Sequence, residues 1–280
     1  AALNGDSSGT VDEFGFPIGY GKNNQAVLIP SFLSAYSGKN AENISLNAIT
    51  NNPLPNWSIN YSGLINIDFF KERFKKFSLG HAYRSSYTLN NFKSNLEYNP
   101  SNTQLTDDSG NYINEFLYTN INLVEQFNPL LKIDMELNNS LQIVMSLKKD
   151  RALSLSLDNN LLTESNGTDY SIGLGYRIKD LKFTNRVGGK RRVSKGDLNI
   201  KTDLNFRDNI TIIRNLNIED NKVTAGQKMW SLKTSADYNL SKSFNAIFFY
   251  DHLFSKFAIS TAFPMTTIRA GMTLRYNFGE

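Results

Sequence analysis

The chain contains no cysteine. Disulfides, thiolate zinc sites and cysteine nucleophiles are therefore excluded, while the compartment stays open, because many bacterial envelope proteins also lack cysteine. Long apolar runs are missing too. The longest candidate, "AVLIPSFLSA" (Ala26 to Ala35), is interrupted by Pro30 and by serines, so no segment reads as a membrane-crossing helix. An excess of one charge sign is also lacking. Thirty Lys and Arg face 26 Asp and Glu, a net charge of +4, so even a pI near 9.0 argues little for a nucleic-acid partner. The opening "AALNGDSSGT" has neither a methionine nor a basic-then-apolar leader and reads as a processed or partial chain.

What the chain has is alternation. Hydrophobic residues make up only 40% and mean hydropathy is -0.38, yet from Trp57 onward apolar side chains return at every second position. In "LLKIDMELNNSLQIVMSLKKDRALSLSL" (Leu130 to Leu157), Leu131, Ile133, Met135 and Leu137 alternate with Lys132, Asp134 and Glu136. Asn138-Asn139-Ser140 reads as a turn, as does Lys149-Asp150, and Leu153, Leu155 and Leu157 follow. Ile172 and Leu174 alternate with Ser171, Gly173 and Arg177. Lys201, Asp203 and Arg207 oppose Leu204 and Phe206. Lys233 and Asp237 oppose Leu232 and Tyr238. Met272 and Leu274 oppose Arg269 and Arg275. The pattern predicts an all-β, antiparallel, up-and-down chain of roughly fourteen strands, many near the 9–11 residues of a tilted transmembrane strand.

Alternation does not say which side is wet, since a β-sandwich core produces the same string. Three features favour a membrane barrel. The connections are mostly tight hairpins, aromatics gather near strand ends (Tyr170, Tyr176, Tyr238, Phe244, Tyr276, Phe278), and charge is dense in mid-strand on the polar face. On this reading Leu131, Ile133, Met135, Leu137, Leu153, Leu155, Ile172, Leu174, Leu232, Met272 and Leu274 face lipid. Lys132, Asp134, Glu136, Arg177, Lys201, Asp203, Arg207, Lys233, Asp237, Arg269 and Arg275 face an aqueous lumen. A barrel is the sheet a bilayer accepts, because every backbone group finds a partner strand. Residues 57–280 form the strand region. Residues 1–56 stand apart, irregular, with an apolar island around Phe32, Leu33 and Tyr36. That island is either a loop or short helix packed on the sheet, or an insert in the pore.

Little in the chain carries chemistry. The histidines are His81 and His252. His252 lies beside Asp251, but no G-x-S-x-G elbow places a serine next to either imidazole, so the chain reads as a non-enzyme. No cluster has metal-ligand spacing and no phosphate-binding loop is present, so no cofactor is expected. The basic stretch "GGKRRVSKGD" (Gly188 to Asp197) could touch phosphates, but reads first as a hairpin loop with glycine at both ends. The terminal "RAGMTLRYNFGE" is similar to the aromatic-ended last strand by which outer-membrane barrels are recognised, except that Gly279 and Glu280 follow Phe278.

Segments along the whole chain resemble the C-terminal part of the SprA/Sov family, the outer-membrane translocon of the Bacteroidetes type IX secretion system, linked to gliding motility. They include "VLIPSFLSAYSGK", "NPLPNWSINYSGL", "FKKFSLGHAYRSSYTLNNF", "EQFNPLLKIDMELNN", "SIGLGYRIKDL", "LNFRDNITIIRNL", "VTAGQKMWSLKTSADYNLSKSFNAIFFYDH" and "STAFPMTTIRAGMTLRYNF". The resemblance implies an integral outer-membrane location and an arc of a very large barrel. It also implies passage of folded cargo carrying a C-terminal sorting domain. A PorV-type barrel as receiver of cargo and a periplasmic plug protein are the implied partners, along with the lipid bilayer and no nucleic acid. Two other readings stay open: a self-contained porin-like channel, and a secreted β-sandwich carbohydrate-binding or adhesin module with Trp57 and Trp230 as stacking platforms.

Overall fold

The computed structural model describes residues 11, 15–38, 40, 44, 55–187, 190–218, 220–239, 244–259, 263–276 and 278. Helix α1 (Gln25–Ser37) comes first, then β1 (Trp57–Tyr61), a 3-10 turn (Gly63–Asn66) and the short α2 (Asp68–Lys71). The long strand β2 (Phe74–Asn90) leads into an excursion that holds β3 (Lys93–Ser94) and β4 (Phe116–Leu117). Seven strands follow: β5 (Asn120–Leu137), β6 (Leu141–Ser156), β7 (Leu161–Val187), β8 (Lys190–Asn215), β9 (Asp220–Asn239), β10 (Phe244–Phe257) and β11 (Met265–Tyr276).

Nine of these strands make one antiparallel sheet in the order β1-β2-β5-β6-β7-β8-β9-β10-β11, and β3 pairs with β4. Each strand lies beside its predecessor in the sheet, so the all-β, up-and-down meander expected from the hairpin spacing is present. The sheet is open. Among the described residues β1 pairs only with β2 and β11 only with β10.

Among the described residues there are eleven strands, fewer than the about fourteen expected, partly because an expected turn is absent. Lys149-Asp150 is not a turn: β6 runs straight through it, pairing Lys149 with Thr168 and Asp150 with Gly167. Strands β7 and β8 run to 27 and 26 residues, far beyond the 9–11 a tilted crossing needs. The basic stretch read as a loop is mostly strand from Lys190 onward, and its Gly188-Gly189 tip lies outside the described residues. Asn138-Asn139-Ser140 is the turn the sequence indicates.

Pro30 does not end the apolar segment; α1 continues through it. Asn24 caps the helix, its Oδ1 accepting the Ala26 amide hydrogen at 2.8 Å, and Gly38 closes it in the left-handed conformation at φ 64°. Ile29, Phe32 and Leu33 share one side of this helix and are buried on Ile121, Leu123, Leu153 and Leu155 of β5 and β6. This is the largest buried apolar cluster among the described residues. Most of the remaining 1–56 segment lies outside them.

Candidate functional site: the two faces of the sheet

Residues directly opposite each other in an antiparallel pair point to the same side, so the register converts sequence into faces. One row reads Met145, Ile172, Leu204, Leu232, His252 and Ile268 across β6 to β11. The next row towards the Leu141 end reads Ile143, Leu174, Thr202, Thr234, Tyr250 and Ala270, and the one after it Leu141, Tyr176, Ile200, Ala236, Phe248 and Met272. On the far side, Ile133 and Leu79 extend the Met145 row through β5 and β2 to Tyr61 of β1. An apolar band therefore crosses all nine strands on one face.

This band is uncovered. Ile172 and Leu174 are 42% exposed, Met272 54% and Leu274 53%. On β7 it spans Tyr170 to Ile178, nine residues, which matches the length of a tilted bilayer-crossing strand. Nine residues make about 27 Å of strand, comparable to the roughly 25 Å apolar belt of outer-membrane barrels.

The opposite face is polar. It carries every residue expected at the lumen: Lys132, Asp134, Glu136, Arg177, Lys201, Asp203, Arg207, Lys233, Asp237, Arg269 and Arg275. Neighbouring strands pair some of these charges. Lys76 lies 2.7 Å from Asp134, Arg269 lies 2.8 Å from Asp251, and Arg207 lies 3.4 Å from Asp169. Partly exposed pairs of this sort contribute roughly 0–1 kcal/mol each, so the face is arranged for hydration more than for stability. Ser165, Gly167, Ser171, Gly173 and Gly175 leave the β7 line of this face low and smooth.

Two expectations from the sequence meet a different arrangement. Leu153 and Leu155 do share the apolar face, yet they are 4% and 1% exposed because α1 lies over them. A side chain sealed under a helix has no surface left for an acyl chain. Phe32, Leu33 and Tyr36 lie in a helix packed on β5 and β6. Helix α1 lies on the apolar face, the reverse of the one bearing the expected lumen residues. Within the described residues that helix does not project from the charged side. The sequence holds a signal for this: Ile29, Phe32, Leu33 and Tyr36 follow the i, i+3, i+4, i+7 spacing of a helix face.

Between the band and the α1-covered core lies a polar belt on the same face. Tyr83 donates its hydroxyl hydrogen to Glu125 at 2.6 Å. Arg151 sits over the Tyr36 ring at 5.7 Å and 3.3 Å from Glu164, whose other oxygen accepts from Arg214 at 2.9 Å. The Tyr36 hydroxyl is buried beside Glu125 and Tyr83, and burial foremost, then that carboxylate, drives its pKa well up. None of these groups forms a nucleophile-base pair. His81 Nδ1 meets the Leu130 carbonyl at 2.6 Å, and His252 lies against Trp230, ring centroids 4.6 Å apart. Among the described residues no three His, Cys, Asp or Glu side chains converge as a metal site.

The strand ends differ. The β2–β5 excursion and the β6–β7 and β8–β9 turns lie at the end that α1 covers. The excursion is tied to α1: Tyr112 N donates to Gly19 O at 2.8 Å, and Asn114 Nδ2 to Asn24 Oδ1 at 3.1 Å. The Asn138–Ser140 turn, the β7–β8 hairpin and the end of β11 lie at the other. Compared with known proteins, the chain matches no family model and no curated protein.

Proposed function

We propose that this chain is a stretch of wall in a bacterial outer-membrane β-barrel that conducts protein, with the apolar band against lipid and the charged face against a water-filled passage. The observation that carries this reading is the segregation of the two faces over nine consecutive antiparallel strands. A soluble sandwich would cover its apolar face with a second sheet, whereas here only the α1 end is covered. Lys or Arg on the lipid side at mid-bilayer would cost about 2–4 kcal/mol each, and none of the three rows of the band traced above across β6 to β11 contains one.

The resemblance to the SprA/Sov translocon supplies the finer reading: type IX secretion of folded cargo with a C-terminal sorting domain, beside a PorV-type barrel and a periplasmic plug protein. The two unpaired edges, β1 and β11, fit an arc of a larger wall, since an open sheet in a bilayer needs both edges paired. The polar face suits a folded passenger: mixed charge, serine and glycine hold water over most of it, with Ile247, Phe249 and Leu253 of β10 as its apolar line. The chain acts here as scaffold and conduit, without catalysis.

Outer membranes extracted with detergent and probed with an antibody to residues 269–280 test this. A denatured band far above 31.6 kDa supports the large barrel. A band near 31.6 kDa with heat-dependent migration would instead mean a small closed barrel and remove the secretion reading. Recovery in the soluble fraction without detergent would remove both.

A further inference from the structure

Where the apolar band meets the α1 end, the register places two consecutive rows of different chemistry. The last row of the band is Leu147, Tyr170, Phe206, Trp230 and Phe254, aromatic on four adjacent strands. The row immediately beyond is Lys149, Thr168, Asp208, Lys228 and Lys256. Lys228 Nζ lies 3.0 Å from Asp208, which neutralises that pair. Lys149 and Lys256 are exposed, and neither forms an ion pair among the described residues. Lys256 also stands directly opposite Lys228, and the Asp208 carboxylate, bound to Lys228, leaves the Lys256 charge without a counter-ion of its own.

Tyr170 and Trp230 in this row belong at the boundary of acyl chains and headgroups, because each ring is apolar in body and carries one polar O–H or N–H. Lysines one row further out extend their ammonium groups to the level of lipid phosphates. The other end of the band differs. There the rows close on Ile178, Leu198, Tyr238, Ala246 and Leu274, then Phe244 with Tyr276, with no cation among them. On the apolar face, then, a cationic row borders the band at the α1 end, whereas the basic β7–β8 extension at the other end carries its paired Lys182 and Lys195 on the opposite face.

We propose that Lys149 and Lys256, flanking the Lys228–Asp208 pair, form a binding strip for the phosphates of anionic membrane lipids in the leaflet at the α1 end. The inference rests on the membrane reading of the band and adds the ligand class and the leaflet. Lipid phosphate, rather than a soluble phosphate, is the occupant because the strip abuts the aromatic row, so the same molecule that pairs with the lysines lays its acyl chains on Trp230 and Phe254.

The purified protein is reconstituted in vesicles of equimolar phosphatidylcholine and phosphatidylglycerol, re-extracted in detergent, and its retained lipids are counted by native mass spectrometry. Retention of phosphatidylglycerol over phosphatidylcholine is expected. The Lys149→Gln/Lys256→Gln double variant should lose that preference by about fivefold for each lysine removed. A Lys201→Gln/Lys233→Gln variant on the opposite face should keep it. Unchanged preference in the first variant, or equal loss in the second, overturns the strip while leaving the membrane reading in place. Failure of the wild type to enter vesicles of either lipid overturns the membrane reading and the strip with it.

Discussion

Arg214 on β8 donates from Nη2 to Oε2 of Glu164 on β7 at 2.9 Å, and Arg151 on β6 approaches the other carboxylate oxygen at 3.3 Å. One carboxylate therefore ties three strands beyond the apolar band, on the side of α1. The Arg214 hydrogen bond, with help from Asn166 and Arg151 and against partial burial, holds the Glu164 carboxyl below the usual carboxylate range. Ionised Glu164 stabilises the folded state above its unfolded pKa of about 4.3, and that contribution fades as pH falls through the lower folded value.

The Glu164→Gln variant should lose about 1–2 kcal/mol at neutral pH, less than a fully buried pair would, since both guanidiniums are partly exposed. Denaturant midpoints measured down to acid pH should converge for the variant and wild type. A gap that stays constant through that window would contradict the assignment.

Leu155→Ala should destabilise the α1 end by about 2–5 kcal/mol, the range for emptying a packed leucine site. Its side chain is 1% exposed and lies in the cluster with Ile29, Phe32 and Leu33. Hydrogen exchange should accelerate in α1 first. Exchange that rises only in β9 to β11 would show that the helix is held by something else.

Asn24 is 3% exposed, and its Oδ1 both caps α1 and accepts a hydrogen from the Asn114 side-chain amide. Asn24→Ala should cost about 0.5–2 kcal/mol. Limited proteolysis should then cut the β2–β5 excursion sooner than the strands. Equal protection in variant and wild type would mean the cap contributes nothing to docking that excursion.

Leu174→Arg and Ser171→Arg place the same charge on opposite faces of β7. On the membrane reading the first should weaken folding into vesicles by about 2–4 kcal/mol, while the second should change it little. Urea titrations in vesicles distinguish them. Equal costs would put the two faces in the same medium.

Much of the fold is legible in the sequence, and the reasons for the misses are physical. Period-2 alternation assigns both faces from β5 to β11, because parity survives wherever a strand runs unbroken. Lys149-Asp150 reads as a turn because charge interrupts the apolar face there. The parity from Leu147 to Leu153 never changes, however, and a continuous strand predicts that. Charges at Lys149 and Arg151 mark a change of surroundings along one strand, from open band to polar belt. The role of Leu153 and Leu155 is not readable locally, since a leucine under a helix and a leucine under lipid alternate alike. Only the distant α1, packed on them from far earlier in the chain, distinguishes the two.

The irregularities of register bear on how the chain can change in length. Between Phe127 and Leu131, around Pro129, β5 carries two more residues than β6 opposite, and it carries two more than β2 as well. Single surplus residues occur elsewhere, between Phe74 and Lys76 of β2, between Ile178 and Leu181 of β7, and opposite the Thr211/Ile212 step in β9. Each of those three lies at or beyond an end of the apolar band. A surplus of two returns the side chains to their original side, whereas a surplus of one exchanges inside for outside. All four irregularities thus lie at or beyond the ends of the band, so between them each strand keeps one parity, and an odd insertion inside the crossing segments would turn the charged face to the apolar side.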